Sequence, residues 1–280
     1  MTDLRGKTAL ITGANSGIGL EASVKIARMG AEVVLVARDR ERGEAAVADV
    51  KSRSGSNSVS LLLCDFSSQA AIRTLAAEFR AKHGQLHLLV NNAGSASGKR
   101  RTTVDGLEQT FAVNHLGYFL LTNLLADLLI KSAPARVVIV ASRGHRGATM
   151  DFDDLQFANG DYSTFKAYGR SKLGNVLFSN ELARRMSGRG VLVNCLHPGV
   201  VATNIWGRRS RPMLMQLLVA FLKRFVMISP EQGAEAIVFL ATSPLVEGKT
   251  GGYYEKNRLV EPSRLARDAV LAQRLWDESA

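Results

Sequence analysis

The sequence predicts a doubly wound α/β fold with a mostly parallel sheet. Short apolar runs alternate with longer amphipathic ones, as βαβ units require. Several of those runs are nearly continuous Val, Ile and Leu, the composition of strands covered by helices on both faces. A glycine-rich turn separates the first run from the first amphipathic segment.

Strands are expected at 8–11, 32–37, 59–64, 86–90, 136–141 and 191–196, with a final short one at 252–254. Helices should fill the gaps at 17–29, 40–52, 67–83, 107–131, 165–187 and 230–242. No internal repeat or linker-like stretch divides the 280 residues, so a single domain over 1–280 is expected. The segment 202–228 breaks the rhythm with clustered arginines followed by an apolar stretch at 213–228. Gln216, Lys223 and Arg224 interrupt that stretch, which is shorter than the ~20 apolar residues of a membrane span. It reads as a small helical lid over a substrate, with peripheral membrane contact through 213–228 as the alternative. Residues 256–280 read as a C-terminal tail.

Hydrophobic residues make up 46% of the chain, enough for a sizeable core. Cys64 and Cys195 both sit in or at the end of apolar runs, so two reduced, buried thiols are expected rather than a disulfide scaffold. Residues 1–7 do not resemble a signal peptide, which makes the cytosol the default address, with a membrane periphery as the variant. The formal net charge of +11 comes from small scattered groups such as Lys99–Arg101 and Arg184 with Arg185. No aromatic residues interleave with them as a base-stacking surface requires, so nucleic acid is not expected as a partner. The excess charge suits contact with an anionic membrane or attraction of a phosphorylated cofactor.

The turn Thr12-Gly13-Ala14-Asn15-Ser16-Gly17-Ile18-Gly19 follows the first strand and opens the first helix. Gly13 permits the tight turn, Gly17 lets the backbone approach a pyrophosphate, and Gly19 allows close helix–sheet packing. The helix N-terminus offers its free N–H groups and positive dipole end to phosphates. After the second strand, Ala37 and Arg38 replace the acidic residue that would hold a ribose 2′-hydroxyl, and suit a 2′-phosphate. NADP(H) is therefore favoured over NAD. Asp39 can either reach a ribose or cap the next helix.

In order along the chain stand Thr12–Gly19, Asn91-Asn92-Ala93-Gly94, Ser142, Tyr168-Gly-Arg-Ser-Lys172 and Pro198-Gly199 with Thr203. With these motifs the sequence resembles the short-chain dehydrogenase/reductase family, whose domain is of the Rossmann type, over roughly residues 5–255. Phe178-Ser-Asn-Glu-Leu-Ala-Arg-Arg, Leu196-His-Pro-Gly-Val-Val-Ala-Thr and Ser142-Arg-Gly-His145 are similar to the retinol dehydrogenase, WW-domain oxidoreductase and protochlorophyllide reductase branch.

The resemblance implies hydride transfer between a nicotinamide and a carbonyl or alcohol carbon. Tyr168 would be the proton donor in reduction and acceptor in oxidation. Lys172, four residues on and on the same helical face, would lower the tyrosine's pKa from its usual ~10 and hold the nicotinamide ribose. Ser142 would donate to the substrate oxygen, and Asn114 would anchor a water relaying protons to the lysine. For the cofactor, the resemblance implies contacts from Asn15, Ser16, Ile18, Asp65, Phe66, Asn91, Ala93 and Gly94, and around the carboxamide from Pro198, Gly199, Val201 and Thr203. His145 and His197 lie in no cluster with metal-ligand spacing, and no metal is expected. A homo-oligomer built through the helices of Asn114 and Tyr168 is also implied, with the copy number open. The apolar lid points to a lipophilic substrate of retinoid, steroid or long-chain aldehyde type. Competing readings are a cofactor-binding regulator without turnover and a membrane-surface protein.

Overall fold

The computed structural model describes residues 2–160, 162–200 and 228–280. The lid segment 202–227, the apolar stretch up to residue 227, and the site candidates Val201 and Thr203 lie outside the described residues.

Strands β1 (Thr8–Thr12), β2 (Glu32–Ala37), β3 (Val59–Leu63), β4 (Leu88–Asn91), β5 (Ala135–Val140), β6 (Val191–His197), β7 (Tyr253–Glu255) and β8 (Arg258–Leu259) join in one sheet. Their spatial order is β3-β2-β1-β4-β5-β6-β7-β8. All neighbours pair in parallel except β7 with β8. The order reverses between β1 and β4. At such a switch point the connecting helices leave to opposite faces, opening a crevice outside the carboxyl ends of the strands.

Period-two alternation sends successive strand residues to opposite faces. Leu10, Val34, Leu89, Val137 and Val193 enter one buried cluster, while Ile11, Val33, Val90, Val138 and Leu196 enter the other. Helices α1 (Gly17–Arg28) and α2 (Arg40–Ser54) cover the second face. Helix α3 (Gln69–Lys82) covers the first. Cys64 and Cys195 are free and buried, as composition predicts.

The helix expected at 107–131 is broken. Glu108, fully buried, caps a first turn at Gln109–Phe111, and a π-helical turn follows at Ala112–Leu116. Helices α4 (Gly117–Leu124) and α5 (Ala126–Lys131) are separated by Leu125, whose φ of −109° and ψ of 6° leave the helical region. Helices α6 (Thr164–Arg185) and α7 (Pro230–Thr242) lie close to their expected spans, α7 opened by a capping box between Ser229 and Gln232.

Residues 256–280 carry more structure than the sequence suggests. Lys256 and Asn257, both at positive φ, turn the chain into β8. Asp268 then caps helix α8 (Ala269–Ser279), which packs on α6. Trp276 of α8 lies 4.9 Å from the Phe119 ring and 5.8 Å from that of Phe178. Among the described residues no helix is long and apolar enough to cross a membrane.

Candidate functional site

The carboxyl ends of the strands frame a crevice of about 1580 Å³. That exceeds the ~300–1,000 Å³ of a pocket for one small molecule, leaving room for a dinucleotide and a second compound.

Gly13, Asn15, Ser16, Gly17 and Ile18 line it where β1 runs into α1. Gly13 sits at φ 64°, and a Cβ there would lie 2.7 Å from the Cα of Ala93. Gly19 lies behind the crevice, where a Cβ would meet the Asn92 Nδ2 at 2.5 Å and the Gly13 carbonyl oxygen at 2.6 Å. Ser16 occupies the cap position of α1 without a side-chain hydrogen bond, and no acidic residue stands in the first turn. Among the described residues the first N–H groups of this twelve-residue helix have no side-chain acceptor, a donor set that fits an anionic diphosphate.

At the β2 end, Arg38, Asp39 and Arg42 border the crevice. Asp39 caps α2, its Oδ1 accepting from the Arg42 N–H at 2.9 Å. Arg38 and Arg42 are exposed and form no ion pair among the described residues. Asp65 and Phe66 follow β3; the Asp65 Oδ1 accepts from the N–H and Oγ of Ser67 at 2.9 and 2.8 Å.

Ala93 and Gly94 line the crevice after β4, and so does Asn92. Asn92 ties the glycine turn to β4 by donating from Nδ2 to the Thr12 carbonyl at 2.8 Å. Asn91, in contrast, is fully buried and donates to the Thr122 Oγ1 at 2.9 Å, below the crevice floor. Asn114 is also fully buried. At the widened helical turn its Oδ1 accepts from the Ser95 N–H at 2.8 Å, while Nδ2 donates to the Ser95 carbonyl at 2.9 Å and the Ser171 Oγ at 3.1 Å. Ser95 itself lines the crevice.

Ser142, Tyr168 and Lys172 come together beyond β5. The Ser142 side chain is hydrogen-bonded to Tyr168 and accepts from the Gly144 N–H at 3.2 Å. Lys172 is 2% exposed, and its Nζ donates to the Val140 carbonyl at 2.8 Å. Burial pushes its pKa down to about 7. Burial also raises the Tyr168 phenol, against a smaller lowering by the Ser142 hydrogen bond. In the cofactor-free crevice burial therefore outweighs the lowering of the phenol by a lysine ammonium that the sequence leads one to expect. Withdrawing both groups from water disfavours both charged forms, and the lysine loses much of the charge it would exert.

Pro198 and Gly199, at φ 100°, close the far wall with His197. His145 places Nδ1 2.6 Å from the Ser142 carbonyl oxygen, and its Nε2 accepts from the Ser263 N–H at 3.1 Å, a structural pairing. Among the described residues, no three His, Cys, Asp or Glu side chains gather as a metal site. Sequence reasoning missed Asn92, Arg42, Phe157 and Arg170, all of which border the crevice. For Arg42 a signal existed, since it stands four residues after Arg38.

The model of the family described as short chain dehydrogenase matches residues 7–213. Human retinol dehydrogenase 14 is 39% identical over 99% of this chain and 86% of its own length. The chicken WW domain-containing oxidoreductase is 40% identical over 99% of this chain and 68% of its own. Among solved structures, an uncharacterized protein from Mycobacterium paratuberculosis superposes with a TM-score of 0.80 at 30% identity, covering 100% of this chain and 94% of its own. The Pseudomonas aeruginosa RhlG/NADP active-site complex does so with a TM-score of 0.69 at 26% identity, covering 96% of this chain and 98% of that one. On the match to the family model and the likeness to these relatives over 99% of its length, the chain belongs to the short-chain dehydrogenase/reductase family, in its retinol dehydrogenase-like branch.

Proposed function

We propose that this oxidoreductase interconverts a carbonyl and an alcohol on a lipophilic substrate, with NADP(H) as its cofactor. When bound, the nicotinamide supplies or accepts the hydride. The residues of the chain bind, orient and move the proton.

The observation that carries the reading is the hydrogen-bonded Ser142–Tyr168 pair, open to the same crevice as the uncapped N-terminus of α1. Backbone N–H groups of that turn hold the diphosphate. Arg38 and Arg42, two guanidiniums at the β2 end without an ion-pair partner among the described residues, favour a 2′-phosphate over a bare ribose hydroxyl. Ser142 donates to the substrate oxygen as negative charge develops on it, and Tyr168 delivers the proton. A phenol whose pKa burial raises is fully protonated at neutral pH, the form needed for reduction. Asn114, fixed on both backbone groups of Ser95, is the candidate anchor of a proton-relay water behind Lys172. The substrate class rests on the names of the retinol dehydrogenase relatives and on the apolar composition of 213–228.

The test is an NADPH-oxidation screen over aldehydes, ketones and quinones with the purified protein. Turnover of apolar aldehydes with NADPH preferred to NADH is expected. No turnover of any carbonyl or alcohol in either direction, with the cofactor demonstrably bound, overturns the reading in favour of a regulator.

A further inference from the structure

We propose that Arg170 and Phe157 form a clamp that shapes the substrate end of the crevice, making Arg170 a positioning residue for the activity assigned above, on which this inference rests.

Between Ala148 and Ser163 the chain has no regular helix or strand among its described residues, yet Thr149, Asp151, Asp154, Phe157 and Gly160 border the crevice together with Tyr168. An irregular wall beside a reacting centre holds its shape only if its backbone groups are satisfied locally. Asp154 does much of this. Its carboxylate accepts from the N–H groups of Ala158 at 2.6 Å and Asn159 at 3.2 Å. Its carbonyl accepts from the Phe157 N–H at 3.3 Å and from the Arg170 Nη1 at 2.5 Å.

The turn so formed places Phe157 at φ 51°, in the left-handed region. A bulky side chain adopts that conformation only where its surroundings over-determine it, and such strain gathers at functional sites. Here the surroundings are specific. The Arg170 guanidinium carbon lies 3.8 Å from the centre of the Phe157 ring, and Tyr162 meets the same ring edge-on at 5.8 Å. Tyr162 is anchored in turn, its hydroxyl donating to the buried Glu108 Oε1 at 3.1 Å.

Arg170 is itself unusual. It is 6% exposed, forms no ion pair among the described residues, and its Nε is buried without a hydrogen-bond partner. Burial depresses its pKa, partly opposed by the carboxylates of Asp151, Asp154 and Glu108. A buried cation without an ion-pair partner is costly, and contacts to its planar face and its N–H groups offset part of that cost. The Phe157 ring takes the face and the Asp154 carbonyl takes Nη1, both on the one loop, and the helical turn that carries Arg170 also carries Tyr168. The phenol and the wall facing its substrate are thereby set by a single element. Phe157, 7% exposed, borders the crevice as part of that wall rather than as an open apolar face.

The closing experiment compares the full-length wild type with Arg170→Met, Arg170→Lys and Phe157→Gly. Glycine accepts the left-handed turn, so Phe157→Gly deletes the ring while keeping the path of the loop. Steady-state kinetics would use NADPH and aliphatic aldehydes of short to long chain, with NADPH binding followed separately by fluorescence. KM for long aldehydes should rise about tenfold in Arg170→Met and Phe157→Gly, with kcat and the NADPH Kd held within about twofold. Arg170→Lys should recover part of the loss. Amide hydrogen exchange over 149–160 should accelerate in Arg170→Met and remain unchanged elsewhere, a readout that needs no turnover. Unchanged exchange overturns the clamp. A loosened loop with an unchanged KM overturns its part in substrate positioning, as does parallel loss of kcat and NADPH affinity. Should the wild type turn over no carbonyl, the function proposed above falls, and the clamp stands or falls on the exchange result.

Discussion

The Nζ of Lys172 lies 5.7 Å from the centre of the Tyr168 ring and donates to the Val140 carbonyl at 2.8 Å. The two groups share one helical face and one desolvated pocket, so each is held toward its neutral form. On the proposed reaction, reduction would begin with a phenol that keeps its proton and a lysine whose pKa is near 7.

If Tyr168 delivers that proton, Tyr168→Phe should lower kcat by about 10²–10⁴-fold, the usual worth of a positioned acid or base. The ring remains, so NADPH affinity measured by fluorescence titration should hold within about twofold. Turnover close to wild type would reject the role.

Lys172 makes a stability prediction with a definite sign. Its folded pKa, about 7, lies below the ordinary 10.5, so between those values the unfolded chain binds the extra proton. Stability of the cofactor-free protein should therefore rise as pH rises from about 7 toward 10.5, and the full penalty persists below pH 7. Lys172→Met removes the titrating group. Urea unfolding across that window should show a shallower rise in the variant, and equal slopes would contradict the burial argument.

Arg38 and Arg42 border the crevice from the end of β2 without an ion-pair partner among the described residues. Removing either should weaken NADPH far more than NADH, because only NADPH carries the 2′-phosphate. A charge-assisted bond of this kind is worth about 1.5–3 kcal/mol, or roughly 10- to 100-fold in Kd. Equal losses for the two cofactors, measured by titration of Arg38→Ala and Arg42→Ala, would dismiss the NADP preference.

The sheet was legible because buried parallel strands are continuous apolar runs, and the crevice because glycines and polar residues punctuate their carboxyl ends. What escaped was geometry without a local signature. A π-helical turn at Ala112–Leu116 has no composition of its own, and neither does the interruption at Leu125. Asn91 and Asn92 differ only in which way alternation turns them: one is buried against Thr122, the other faces the cofactor crevice. Helix α8 carried a readable cap in Asp268, but its partners Phe119 and Phe178 are far away in sequence. The Arg170–Phe157 contact joins a helix to an irregular loop, and no periodicity announces it. Charge reasoning about Tyr168 and Lys172 put the ammonium first, whereas burial is the larger effect on both groups, because a sequence does not state how far water is excluded.

His115 stands next to Asn114 and is 1% exposed, with its ring against Phe111 at 4.9 Å and its Nε2 3.2 Å from the Ser279 Oγ. Burial brings its pKa down to about 4 from 6.5. The unfolded chain then binds more protons throughout that interval, so stability is retained above pH 6.5 and lost as pH falls toward 4. On going from pH 7 to 5 the contribution of this one residue is on the order of 2 kcal/mol. His87, His145 and His197 are shifted in the same direction and should add to the loss. His115→Phe keeps an aromatic ring in place and removes the titration, so its unfolding free energy should fall less between pH 7 and 5, by about that amount. The measurement is urea unfolding of both proteins at the two pH values. An identical pH dependence would mean that the imidazole titrates normally, and that the core beside Asn114 admits water.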